Sequence, residues 1–238
     1  MTDNWIRNVI AEAVGTFAVV FVTVMTLGVV GQATPAILAY GFVVMGMVAA
    51  LGHVSGGHFN PAITLGMFLA KKIDPFGAAV YWVAQFGGGA LGALAVMLTT
   101  NRESVAAGTP MINESLVNVG GAIALEALVT MLLVLVVFGT AVDERSPLSV
   151  YPFAIGGTVI AGSAALLAVT GGALNPARGF GPAVVSGEWD GIAAWLAGPL
   201  IGAVLAWALY WFVIADRPSS RHTRYPEPVP PPGPSLLP

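Results

Sequence analysis

Two identical triplets, Asn60-Pro61-Ala62 and Asn175-Pro176-Ala177, stand 115 residues apart. Asn is a favoured helix N-cap, and Pro is pre-organised for the first helical position. One such triplet reads as a helix start and no more. Here both copies follow a Gly-rich lead, Ser55-Gly56-Gly57-His58-Phe59 and Gly171-Gly172-Ala173-Leu174, and both open a short apolar stretch, 60–70 and 175–185. Such a stretch makes about 15 Å of helix, too short to cross about 30 Å of hydrocarbon. It reads as a half-helix, and its irregular lead can sit at membrane depth only inside protein or along a wet cavity. Each helix N-terminus carries about half a positive charge. Two such ends, each with an Asn carboxamide, can donate hydrogen bonds to a small neutral molecule such as water. A water held by two donors is oriented and does not readily relay a proton, and the dipole ends repel cations.

Three charged residues need a role inside apolar segments. Arg178 follows the second triplet directly, where the first copy has Ile63. An Arg in an apolar region is costly unless it faces water or pairs, and the plainer reading is an Arg that reaches the interface. Glu12 and Glu126 each lie in an apolar run, within Glu12-Ala13-Val14-Gly15-Thr16 and Glu126-Ala127-Leu128-Val129-Thr130. Their structural reading is as acceptors for backbone N–H groups of the Gly-rich leads, and their functional reading is proton coupling; the structural one is favoured. For His58, beside the first triplet, the residues themselves offer a structural hydrogen bond.

The elements that must hold these residues follow from composition. Of 238 residues, 9% are charged and 56% hydrophobic, and the mean hydropathy is +0.83. Soluble domains carry about 25% charge. The fold class expected is an all-α integral membrane protein with six transmembrane helices, over about 9–30, 34–53, 76–99, 119–142, 149–169 and 190–214, plus the two re-entrant half-helices. With no Cys and three His, the sequence offers no disulfide, thiolate or metal chemistry, and nine basic residues scattered over the chain make no nucleic-acid surface. No cofactor, no catalytic residues and no enzyme activity are expected. Lys and Arg counts orient the chain. Arg7, Lys71, Lys72, Arg145, Arg217, Arg221 and Arg224 fall on one side and Arg102 on the other. Both termini are therefore expected in the cytoplasm of a multi-pass cell-membrane protein.

The order Glu, Gly, triplet recurs. Glu12 and Glu126 are 114 apart, and Gly41 and Gly156 are 115 apart. Each half holds three full spans, so the second is inverted relative to the first about an axis in the membrane plane. The expected divisions are a tail over 1–7, a channel domain over 8–214 with repeats at about 8–99 and 119–214, and a Pro-rich tail over 215–238 read as disordered.

On the stretch 55–64, the motif Asn175-Pro176-Ala177-Arg178 and the two Glu-x-x-x-Thr pairs, the chain resembles the aquaporin, or major intrinsic protein, family. The resemblance covers about 8–214. It implies a passive channel for water, a homotetramer with one pore per subunit, and a constriction that includes Arg178. By the same resemblance the other constriction positions fall on Tyr40, Ser163 and Gly172, with Gly162 or Ala164 one residue to either side of Ser163. It also implies that His58 faces the pore near the cytoplasmic vestibule. The constriction departs from the family's usual patterns. Strict water channels usually carry His where Ser163 stands. Glycerol channels usually carry two aromatics at the constriction and Asp after the Arg, where Tyr40 stands alone and Gly179 follows. A Tyr/Ser/Gly/Arg ring should be wide and polar, so water and small neutral solutes such as glycerol should both pass. Ions and protons should be excluded. An ion-coupled secondary transporter and a closed membrane scaffold are the competing readings, since inverted repeats with broken helices also build transporters.

Overall fold

The computed structural model describes residues 5–147 and 149–215. The Pro-rich stretch with Arg217, Arg221, His222 and Arg224 lies outside them. All the regular elements among the described residues are helices. Six are long and apolar enough to cross a membrane: α1 (Trp5–Val30), α2 (Ala33–Ser55), α4 (Pro75–Thr99), α6 (Val119–Val142), α7 (Tyr151–Thr170) and α9 (Ala193–Ile214). Helix α1 already begins at Trp5, inside the stretch read as a tail. Three short helices complete the set, α3 (Pro61–Leu69), α5 (Arg102–Ala107) and α8 (Pro176–Ser186). Helix α5 lies between the expected spans 76–99 and 119–142, where the sequence marks no element. It is capped by Asn101, whose side chain accepts from the Ser104 N–H at 2.8 Å.

Each half-helix starts for the reason its triplet suggests. The Asn60 side chain accepts from Ala62 N–H at 2.9 Å. The Asn175 side chain accepts from Ala177 N–H at 2.9 Å and from Arg178 N–H at 3.3 Å. Pro follows each cap. Beyond the far end of α8, Gly187 adopts a left-handed conformation (φ 81°) that a side chain would strain. Ser186 O, at that end, accepts from Nε and Nη2 of Arg102, which ties α8 to the loop between α4 and α6. Helix α3 instead ends at Leu69, and the chain passes Lys71 to reach the start of α4 at Pro75. The half-helices therefore enter from opposite ends of the bundle.

Small residues bring the helices close, as expected where apolar burial does not drive association in lipid. Helix α1 packs on α4, α6 on α9, and α2 on α7. A Cβ built on Gly88 would lie 2.2 Å from the Ala13 carbonyl oxygen, and one on Gly202 would lie 2.4 Å from that of Ala127. Both pairs are related by 114 residues, so the contact repeats with the sequence. In Gly87-x-Gly89-x-x-Gly92, Gly89 meets the Ala177 carbonyl of α8 and Gly92 meets the Phe17 carbonyl of α1. That stretch is a helix-packing surface and not a phosphate loop.

Candidate functional site

The two carboxylates hold the Gly-rich leads. Glu12 Oε1 accepts from Ser55 Oγ at 2.7 Å and His58 N–H at 3.0 Å. Its Oε2 accepts from Phe59 N–H at 2.6 Å and Gln85 Nε2 at 2.8 Å. Glu126 Oε1 accepts from Thr170 Oγ1 at 2.6 Å and Ala173 N–H at 2.8 Å, and its Oε2 from Leu174 N–H at 2.9 Å. Both carboxylates are fully buried. With these N–H groups taken up, the leads can run through the protein interior without orphaned donors.

The two triplets meet. Asn60 Nδ2 donates to the Leu174 carbonyl at 2.9 Å, and Asn175 Nδ2 donates to the Phe59 carbonyl at 2.8 Å. Phe59 and Leu174, 115 residues apart in sequence, both sit in the left-handed region, at φ 49° and 54°. Only three non-Gly residues among those described do so, and the conformation is uncommon outside Gly. Each aims its carbonyl at the opposite half. A carboxamide has two donor hydrogens. One of each pair is used in this cross-lock. The second is left for the cavity that Asn60, Asn175 and His58 line together with Val19, Val44 and Val159.

Tyr40, Ser163, Gly172 and Arg178 line one further narrow cavity, with Tyr40 common to both. A Cβ on Gly162 would point at Val129 and Leu174, Ala164 is exposed, and Ser163 faces Arg178's cavity. The Tyr40 hydroxyl donates to the Ala173 carbonyl at 2.7 Å, which fixes the ring, and the Arg178 guanidinium carbon lies 6.0 Å from the ring centroid. That is the outer reach of a cation–π contact. Arg178 is 1% exposed, yet its Nε and Nη1 have no hydrogen-bond partner among the described residues, and neither has Ser163 Oγ. Unpartnered buried donors are costly, and here they border a cavity. Gly172 takes φ 56°, and a Cβ there would lie 3.2 Å from Ser163 Cα, so Gly keeps this wall open.

Three residues in the site had drawn no attention in the sequence. Gln85 lies in α4 and joins Glu12 to Thr64, with its Nε2 also 2.8 Å from Thr64 Oγ1. Tyr81, one turn earlier, donates to the Ser55 carbonyl at 2.7 Å. Thr170 supplies the hydroxyl on Glu126 that Ser55 supplies on Glu12. A polar amide inside an apolar span was the available signal for Gln85.

Outside the spans, Asp143 accepts from Arg145 at 2.5 Å and from the Tyr210 hydroxyl at 2.6 Å. The Arg145 guanidinium, chiefly, holds the Asp143 carboxyl below the usual carboxylate range.

Residues 1–210 match the family model described as Major intrinsic protein. Aquaporin-8 of Mus musculus is 34% identical over 223 residues, covering 90% of this chain and 84% of that protein. Probable aquaporin TIP2-2 of Arabidopsis thaliana is 37% identical over 193 residues, covering 79% of this chain and 76% of that one. Aquaporin-4 of Homo sapiens is 36% identical over 178 residues, which are 74% of this chain and 55% of that protein. Among solved structures, the aquaglyceroporin from Plasmodium falciparum superposes with a TM-score of 0.75 at 23% identity, covering 87% of this chain and 95% of that one. At that identity the likeness is one of fold. Six apolar spans, two facing half-helices locked through Asn60 and Asn175, and a family match over nearly the whole described chain agree: the chain belongs to the major intrinsic protein family, the aquaporins.

Proposed function

We propose that this multi-pass membrane protein is a passive channel for water that also admits small neutral solutes such as glycerol. The observation that carries the reading is the meeting of two half-helix N-termini through Asn60 and Asn175, beside a cavity walled by aliphatic side chains. Water crossing there meets donors from both ends, so it passes oriented, while the dipole ends and Arg178 repel cations. The names of the relatives, aquaporins and an aquaglyceroporin, support the same class of permeant.

Tyr40, Ser163, Gly172 and Arg178 form the selectivity constriction in this reading. Arg178 Nε and Nη1 and Ser163 Oγ offer hydrogen bonds in place of lost hydration. Glu12 and Glu126 are loop supports. Because three or four donors converge on each, neither is left open as a coupling-ion site, and no observation favours the transporter. Both termini face the cytoplasm, and the assembly is a homotetramer with a pore in each subunit. Protease access to a C-terminal tag in sealed vesicles tests the first of these, and the mass of the detergent-solubilised protein tests the second.

The decisive experiment is osmotic shrinkage of proteoliposomes by stopped flow, with a pH dye inside. Fast shrinkage with weak temperature dependence and no proton leak is expected. Saturable, ion-driven uptake would overturn the channel reading, and absence of any flux would point to a closed scaffold.

A further inference from the structure

His58 Nδ1 lies 3.0 Å from Thr64 Oγ1, and Thr64 Oγ1 lies 2.8 Å from Gln85 Nε2. The direction of each bond in this line can be read. Gln85 must turn its NH2 toward Glu12, because its oxygen there would face a carboxylate oxygen, acceptor against acceptor. The same NH2 then donates to Thr64. Thr64 is fully buried. Its one hydroxyl hydrogen would be left without an acceptor unless it points at His58 Nδ1, and an orphaned buried donor is costly. The line therefore runs Gln85 to Thr64 to His58, and Nδ1 is an acceptor. A neutral imidazole that accepts at Nδ1 carries its proton on Nε2. Nε2 makes no hydrogen bond with the described residues, and His58 lines the cavity that holds Asn60 and Asn175.

We infer that Gln85 and Thr64 are positioning residues that lock His58 as the neutral Nε2–H tautomer, so that it gives the pore one fixed donor and no basic nitrogen. This rests on the channel reading above. Two features of the molecule support a role beyond holding the fold. The line exists in one repeat only. The positions matching His58, Thr64 and Gln85 are Ala173, Gly179 and Pro199, and the second half folds the same way without it. The lock also bars relay. An imidazole passes a proton by taking one on one nitrogen and losing one from the other, and here Nδ1 faces a hydrogen already on oxygen. To protonate Nδ1, the Thr64 hydroxyl would have to swing away and lose its buried acceptor. The other titratable groups against His58 are Glu12 of α1, which accepts its backbone N–H, and Tyr81 of α4, whose ring meets it edge-on at 5.3 Å. The Tyr81 hydroxyl is engaged by the Ser55 carbonyl.

The test is nitrogen NMR of the full chain in bilayers with labelled His, assigned against His58→Gln, together with water permeability from about pH 5 to 8, the range over which an ordinary His gains a proton. In the wild type, His58 should show Nε2–H alone, and permeability should be flat. In Thr64→Val, which keeps the shape and loses the hydroxyl, both tautomers should appear, and permeability should change about twofold or more across that range. Thr64→Ser should restore the wild-type pattern. Nδ1–H in the wild type, or a Thr64→Val spectrum and pH profile identical to wild type, would overturn the lock. The NMR readout does not depend on flux. Vesicles without water flow would overturn the channel reading, while the spectrum alone still decides the tautomer.

Discussion

Gly41 and Gly156 press backbone to backbone where α2 crosses α7. A Cβ on Gly41 would lie 2.6 Å from the Gly156 carbonyl oxygen, and a Cβ on Gly156 would lie 2.7 Å from that of Gly41. The two are repeat equivalents, so the contact lies on the axis relating the halves. A side chain at either must force the helices apart. Gly156→Val should cost about 1–3 kcal/mol as overpacking, seen as a lower thermal midpoint in detergent. Gly46→Ala, on α2 with Gly41 but with open space around it, should be neutral or stabilise by up to about 1 kcal/mol through helix propensity.

Glu126→Gln turns an NH2 toward donors that now meet a carboxylate oxygen. It should lower folded yield by an amount corresponding to about 1–3 kcal/mol for each orphaned donor. The selectivity of the protein that does fold should stay near wild type. Yield on a sizing column and flux per folded molecule separate the two effects. Ion-coupled flux abolished by this change at normal yield would count against the supporting role.

Arg178 offers the opposite contrast. Its side-chain Nε and Nη1 bond to nothing among the described residues, so its removal orphans no protein acceptor there. Arg178→Val should fold at near wild-type yield, conduct water, and leak protons or small cations that the parent excludes. Dye-loaded vesicles report the leak directly.

Ser163→His adds bulk and a donor to the wall facing Arg178. Glycerol entry should fall relative to water by about tenfold, the effect of about 1.4 kcal/mol on a barrier. If the substituted and parent channels kept the same glycerol-to-water ratio, Ser163 would not set the width.

Asp143 gives a pH test. Its folded carboxyl is held below its unfolded value by Arg145, so its contribution to stability is present above the unfolded pKa and fades as pH falls through the lower folded one. Asp143→Asn should lower the thermal midpoint at neutral pH by an amount worth up to about 1 kcal/mol, as for partly exposed ion pairs. The gap between variant and parent should close in acid.

The sequence made some of this legible because membrane folding leaves strong marks. Spans must be apolar for about 20 residues, so all six are found within a few residues of their expected bounds. Asn-Pro starts, Gly leads and buried charges are each rare enough in lipid to need a reason. The repeat offsets then paired Glu12 with Glu126 and Asn60 with Asn175 before any coordinates. What stayed hidden depends on partners distant in sequence. That each Asn gives one hydrogen to the other half's carbonyl is a matter of 2.8–2.9 Å across a separation of over 110 residues. Helix α5 is six residues long, below the length at which periodicity is visible, and is held by Asn101 and by Arg102 reaching Ser186. Gln85 reads as one polar residue among many apolar ones until Glu12 and Thr64 are seen on either side of it.

The cross-lock also sets an order on biosynthesis. Leu174, the acceptor for Asn60, is made more than one hundred residues after it. Until then the first half has inserted its helices but has nothing to fasten its own stub against. The nascent chain must carry that unfinished loop through the translocon and close it only when its mirror image arrives, so premature termination before Leu174 should yield an anchored but unsealed fragment that quality control can recognise.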